Sequence, residues 1–452
     1  MLDSFAEYFM CPERYARFGL RGPLSATTQY FHFGPDNVCY GRVSPPQNGS
    51  DAGMVRDVLQ EVSIDGDNVS LPFDVREVVD NLRLEQYPSS ARNEQSMMNS
   101  LFAAAYYCVR PLLPVAVRKH LQRARLKGWG RISFPRWPVD RAVNNLFEQL
   151  MVFSIKSQNV NRIPFIWFWP EGAPSSAIMT HDVETAQGRD LCSTLMDIDD
   201  AYGIKASFQV VPEQRYEVPP AFLDSITRRG FEVGVHDLNH DGRLYKSREC
   251  FTERVAKINA YGRQWGTGGF RAAILYRRQE WFSDLKFSYD MSVPNVAHLD
   301  PQRGGCCTVM PYFIGDVLEI PVTATQDYTL FHILQQYNTD LWKTQIELIM
   351  EKHGLLSFII HPDYATGTRE RKVYEALLSH LAELRQERGV WIATPGQVNK
   401  WWRQRAGMRI VEDGGGVRIE GEGSEQARIA YASVVDGRLG VTVEQAVANQ
   451  RA

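Results

Sequence analysis

Met179-Thr-His-Asp-Val-Glu184 closes a short apolar run that starts at Ala177, and the reading of the whole chain turns on it. A run of this kind predicts a strand over Ala177–Thr180 that delivers two carboxylates at its C-terminal end. In extended backbone, residues two apart point to the same face, so Asp182 and Glu184 project together. Carboxylates this close repel one another unless a cation sits nearby. Taken alone, the pair fits an exposed acidic turn equally well.

Outward from this segment, strand and helix signals alternate from about 161 to 407. Further strands are expected at Ala206–Val211, Glu232–Val235, Thr267–Arg271, Leu318–Val322, Leu355–Ile360 and Val390–Thr394. Helices are expected at Asp190–Tyr202, Pro219–Arg229, Arg248–Trp265, Asp340–His353 and Arg369–Arg388. Short apolar strands with helices between them predict parallel β/α units, as an open sheet or a barrel. In such folds functional groups collect at the C-terminal ends of the strands.

Those ends carry a pattern. Gly234-Val-His-Asp-Leu-Asn-His240 puts two imidazoles four residues apart, on one face if the loop takes a helical turn. Two histidines and a carboxylate suit zinc or a similar divalent ion and leave coordination positions open. Gly268-Gly-Phe-Arg271 adds a cation that could hold a carboxylate ionised, and Tyr289-Asp-Met-Ser292 adds Asp290. Leu355-Leu-Ser-Phe-Ile-Ile360 ends in His361, a residue type suited to general acid work. Singly, each has a plainer reading: a structural His pair, a capping or core histidine. In order along the chain, Asp-x-Glu, His-x-x-x-His, Arg, Asp and His at five strand ends agree poorly with chance.

This ordered set resembles the polysaccharide deacetylase family, carbohydrate esterase family four, over about residues 175 to 400. Thr180-His-Asp-Val-Glu184 is similar to the first family motif, usually Thr-Phe-Asp-Asp, with the acids spaced by one residue. The resemblance implies Asp182 as catalytic base and Glu184, His236 and His240 as ligands of a divalent ion, zinc foremost. Asp237 stands where the family has a Ser or Thr that braces the second histidine. Arg271 matches the third motif, Arg-x-Pro-Tyr; Ala273 and Ile274 replace its last two residues, so the Ile274 N–H is the implied oxyanion donor. His361 matches the fifth motif as catalytic acid. Asp290 is the nearest fit to the acid that orients it, with Glu319 as fallback. The fold implied is α/β, a distorted (β/α)7 barrel. The implied activity is hydrolytic removal of N-acetyl groups from sugars of a bacterial surface or cell-wall polysaccharide, or its lipid-linked precursor. The alternatives are an amidase acting on a non-sugar amide or cyclic imide, and a catalytically silent glycan-binding protein.

Around the barrel, residues 1–160 read as an N-terminal α+β region and 408–452 as a small C-terminal β module with Gly-rich turns. Strands are expected at Thr28–Phe33 and Val38–Val43, and helices at Asp74–Leu82 and Asn93–Val109. Fifty Lys and Arg against 53 Asp and Glu give a net charge of −3, which excludes a global basic field for nucleic acid. The local cluster Arg118–Arg131 has apolar flanks and fits either peripheral contact with an anionic membrane or a solvated helix face. Seven cysteines form no Cys-x-x-Cys pair, and the N-terminus carries acids where a signal peptide carries positive charge. No apolar run reaches the ~18 residues of a membrane span. The expected location is the cytoplasm, with peripheral contact at the inner membrane only on the membrane reading of that cluster, the less favoured of the two.

Overall fold

The computed structural model describes residues 4–46, 55–88, 126, 128–413 and 416–444. The expected helix at Asn93–Val109 and residues 118–125 of the basic cluster lie outside them. Two compact units divide the chain: residues 1–87, 141–175 and 400–452 form the first, and 88–140 and 176–399 the second. Where the sequence suggests boundaries near 160 and 407, the units part at 175 and 399.

In the first unit, Phe18–Leu20, Asn68–Leu71 and Ser63–Asp65 form one small sheet, and Gln29–His32 pairs with Val38–Gly41. Asp74 caps the helix Val75–Arg83 by accepting the Glu77 N–H at 2.8 Å. Ile163–Ile166 pairs antiparallel with Ile429–Val435, which pairs in turn with Arg438–Val443. The last strands of the chain therefore complete a sheet begun near residue 163.

The second unit carries the candidate site. Its elements in chain order are β1 (Ser176–Val183), α1 (Ala186–Ala201), β2 (Ser207–Val210), α2 (Pro220–Thr227), β3 (Glu232–His236), α3 (Arg248–Trp265) and β4 (Gly269–Arg271). There follow β5 (Tyr289–Asp290), β6 (Tyr312–Ile314), β7 (Val317–Glu319), α4 (Asp340–Met350), β8 (Leu355–Ile360), α5 (Thr368–Arg388) and β9 (Trp391–Ala393). The sheet order is β6-β7-β5-β4-β3-β2-β1-β8, with β9 also on β1; all pairings are parallel except β6 with β7. Every strand and helix expected between 177 and 394 is present, with ends shifted by a few residues. The strand expected to end at Asp290 is β5, only two residues long, and the edge strand β6 is an addition.

Local chemistry accounts for the helix ends. Thr185 starts α1 by accepting the Gly188 N–H, and Ser247 starts α3 by accepting that of Cys250. Both α3 and α5 stop at a glycine in the left-handed region, Gly266 (φ +64°) and Gly389 (φ +72°). All eight residues of β1 are buried, so both faces of the sheet are covered. Ala177, Met179 and Val183 pack in the main apolar core with Leu195, Met196, Leu377 and Leu381 of the flanking helices. The alternate residues Ser176, Thr180 and Asp182 face the other way, into a polar interior.

The sheet curls, and the segment that follows β7 reaches β8. Beyond β7, Ala324 N–H donates to the Ser357 carbonyl at 3.1 Å, and the Thr323 hydroxyl to that of Leu355 at 2.6 Å. β1 is the most heavily used strand: β8 lies along one edge, while β9 (opposite Ser176–Ile178) and β2 (opposite Thr180–Val183) share the other. No described helix is long and apolar enough to cross a membrane. Cys11, Cys39, Cys192, Cys250, Cys306 and Cys307 are free thiols.

Candidate metal centre and catalytic pair

Parallel register brings the strand ends together. Asp182 ends β1 beside β2, His236 ends β3 opposite Arg271 of β4, and His361 follows β8. Glu184 is central: its Oε1 lies 2.8 Å from His240 Nε2, 3.4 Å from His361 Nε2 and 3.8 Å from His236 Nε2. Among the described residues two groups have the spacing of a metal site, Glu184 with His236 and His240, and Asp182 with Glu184 and His361.

The loop at 237–240 takes no helical turn. Asp237 (φ +56°) and His240 (φ +54°) take left-handed backbone, which folds the loop back and brings the two imidazoles to 4.8 Å between centroids. His236 Nδ1 lies 3.1 Å from the Arg271 carbonyl, so its hydrogen sits there and Nε2 is left as a lone pair facing Glu184. The Nε2 atoms of His236 and His240 are buried and face no polar group but the acids at the strand ends, with His240 Nε2 2.8 Å from Glu184. Two imidazole nitrogens turned toward a carboxylate oxygen are the donor set that a divalent cation takes. Asp237, which stands in the place of a bracing Ser or Thr, turns back to accept the Leu238 N–H. Arg215 instead reaches the loop, donating to the His240 carbonyl at 2.5 Å and approaching its Nδ1 at 3.3 Å.

Asp182 and Arg271 meet as expected. Arg271 Nη1 donates to Asp182 Oδ1 at 2.6 Å and to Thr180 Oγ1 at 2.8 Å, while Nε donates to the Met291 carbonyl at 3.0 Å. Burial pushes Asp182 up, but the charges of Arg271, His236 and His361 outweigh it and hold the carboxyl below the ordinary range. For Glu184, too, burial is outweighed, by the charge of His240 and contacts from all three histidines, leaving it well below that range.

His361 is where the structure corrects the sequence. Its Nδ1 lies 2.7 Å from Asp327 Oδ1, and its backbone N–H donates to Asp327 Oδ2 at 2.7 Å. Burial would lower this imidazole, but the charge and hydrogen bond of Asp327, with Glu184 behind them, raise it well above the usual histidine value. The carboxylate in contact with His361 is therefore Asp327, not Asp290 or Glu319, the acids expected there. Asp290 and Glu319 are register partners on β5 and β7 and interact with each other. The Asp290 carboxylate is taken up by the N–H and hydroxyl of Ser292. Asp327 left one signal in the sequence: the β-branched run after β7 continues through Val322-Thr-Ala-Thr325, so its acid lies two residues past the true end of the extended segment.

Ile274 has φ +62°, a costly backbone for a β-branched residue, at the rim just after β4. Leu275, Val322 and Ile359 beside it form a small apolar cluster. Of the aromatic residues near the strand ends, Tyr364 lies 4.9 Å from the His361 ring, whereas Trp281 packs against Phe251 and Tyr245.

No protein-family model and no curated protein matches the sequence. Solved structures do. A Mycobacterium smegmatis protein assigned as a polysaccharide deacetylase aligns at 16% identity and a TM-score of 0.42, over 53% of this chain and 93% of its own. The Puue allantoinase aligns at 12% identity and 0.40, over 52% and 92%. Peptidoglycan deacetylase PdaC from Bacillus subtilis aligns at 16% and 0.33, over 51% and 93%. Over about half its length, then, the chain is similar to polysaccharide and peptidoglycan deacetylases and to an allantoinase.

Proposed function

We propose that the protein is a metal-dependent hydrolase that removes N-acetyl groups from sugars of a surface or cell-wall polysaccharide or its lipid-linked precursor. One observation carries this reading: Asp182 and His361 flank the Glu184–His236–His240 group and are pulled in opposite directions. The carboxyl is favoured as an anion and the imidazole as a cation. Titratable groups driven apart in this way divide the roles of base and acid.

Glu184, His236 and His240 would hold the divalent ion, zinc by the nature of two nitrogens and one oxygen, and when bound it supplies Lewis acidity toward water and the amide carbonyl. The chain's own residues do the rest. Asp182, held ionised by Arg271, accepts the proton of the attacking water. The Ile274 N–H is assigned to the developing oxyanion, a donor type worth ~3 kcal/mol in acyl transfer. His361, oriented by Asp327, gives its proton to the leaving nitrogen. Leu275, Val322 and Ile359 offer an apolar surface for the acetyl methyl. We read the curled sheet that positions these groups as a distorted (β/α)7 barrel.

Acetate release from an N-acetylglucosamine oligomer tests the reading, with metal content measured on the same sample. Acetate from wild-type protein and none from His236→Ala supports it. A loaded protein that cleaves only a non-sugar amide or cyclic imide moves the assignment to an amidase, and a protein that binds no metal leaves a silent glycan-binding role.

A further inference from the structure

His181 sits between Thr180 and Asp182 on β1 and faces away from both, on the side where Ala177, Met179 and Val183 pack in the apolar core. Its side chain is completely buried, as is that of Asp199 on α1. The ring meets oxygen at both nitrogens: Nε2 lies 2.9 Å from Asp199 Oδ2, and Nδ1 3.2 Å from the Ile360 carbonyl. The carbonyl can only accept, so the Ile360 contact is made by a ring Nδ1–H. The Tyr374 hydroxyl on α5 donates to the other Asp199 oxygen at 2.5 Å.

The Ile360 carbonyl belongs to the same peptide group as the His361 N–H. Asp327 Oδ2 accepts that N–H at 2.7 Å, while its Oδ1 holds the His361 ring. A single peptide is thus gripped at both polar ends by side chains, the His181 ring on the carbonyl and the Asp327 carboxylate on the N–H. An apolar trio in place of His181, Asp199 and Tyr374 would match its surroundings without burying polar groups, and such replacements are often neutral or stabilising. Stability alone is a weak reason for this network.

We propose that His181 is a positioning residue: by fixing the Ile360–His361 peptide from behind, it sets the angle at which the His361 imidazole meets Asp327 and the reacting nitrogen. The inference rests on the role assigned to His361 above, but its structural half is testable without a substrate. The His361 Nδ1–H shared with Asp327 should give a downfield proton resonance, recognised by its loss in His361→Gln. His181→Phe, and the apolar triple variant His181→Phe/Asp199→Leu/Tyr374→Phe should the single one fold poorly, are compared with wild type by this resonance, thermal midpoint, metal content, kcat and KM.

The expected result is that the triple variant keeps its thermal midpoint and metal, loses or shifts the resonance, and drops in kcat by about 10-fold or more with KM little changed. A folded variant with the wild-type resonance and kcat would overturn the proposal. If wild type releases no acetate from any glycan, the functional reading fails, and the resonance by itself still decides whether His181 positions His361.

Discussion

Asp327 holds His361 twice, accepting the imidazole Nδ1–H at Oδ1 and the backbone N–H at Oδ2, each at 2.7 Å. The side chain cannot rotate about Cβ without breaking one of the two bonds. A carboxylate placed in this way fixes the tautomer as well as the ring plane, leaving Nε2 directed at the reacting atoms.

Asp327→Asn should therefore reduce kcat for acetate release by roughly 10²- to 10⁴-fold, the range of general acid catalysis, with KM and metal content close to wild type. Asp290→Asn is the control. Asp290 makes no contact with His361, so its variant should stay within a few-fold of wild-type kcat. Equal losses in the two would return the orienting role to Asp290.

Burial pushes Glu319 and Asp290 up, and Glu319 is raised further by its buried neighbour, so it keeps its proton well past the normal carboxylate range. A folded carboxyl above its unfolded value contributes stability that is full below the unfolded pKa and is lost as pH rises through the folded one. Glu319→Gln retains a donor for Asp290 and an acceptor for the Val293 N–H, yet cannot ionise. Its thermal midpoint should overtake that of wild type as pH rises from about 4 toward neutrality. Parallel curves for the two proteins across that window would show that the pair shares no proton.

About one divalent ion per chain should bind, raising the thermal midpoint. At a free metal concentration 100 times Kd the stabilisation is ~2.7 kcal/mol. His240→Ala should abolish the shift. Calorimetric titration of chelator-treated protein with zinc measures the stoichiometry and thermal scans with and without zinc the shift; a shift that survives in the variant would place the metal elsewhere.

In the first unit, Arg405 is almost completely buried and donates to the backbone carbonyls of Trp167, Tyr8 and Ile166 at 2.8–3.0 Å. Its guanidinium lies 5.2 Å from the ring centroids of both Phe168 and Trp402. Arg405→Ala strips three carbonyls of their donor and opens a cavity, so a loss of ~3–5 kcal/mol in denaturant unfolding is expected. Arg405→Lys, with one nitrogen where three bonds are needed, should fall between.

Much of this molecule could be read in advance because its strands are short, apolar and closed by chemistry-bearing residues. Asp182, Glu184, His236, His240, Arg271 and His361 meet because each ends or follows a parallel strand, and parallel register lines up such ends whatever lies between. What escaped reading depends on backbone detail. Two left-handed residues, Asp237 and His240, bring the imidazoles together without a helical turn. Asp290 ends a strand of only two residues whose partner, Glu319, is another acid, and no local pattern shows that these two satisfy one another. Asp327 lies past an irregular extension of β7, whose only trace in the sequence is the run through Thr325, and the contact of Ala324 with Ser357 gives that run its meaning.

The crowded position of β1 has a consequence for synthesis. The strand that ends in Asp182 receives β2 soon after it leaves the ribosome, but its other partners, Leu355–Ile360 and Trp391–Ala393, are made far later. Until then the nascent chain carries a long apolar edge with unsatisfied amides, the kind of surface that recruits chaperones or other copies of itself. Premature termination between 361 and 390 would leave every candidate catalytic residue in the product, yet with the lower half of β1 open on one side. Such fragments should be found in inclusion bodies, and a usable minimal catalytic piece has to extend through Ala393.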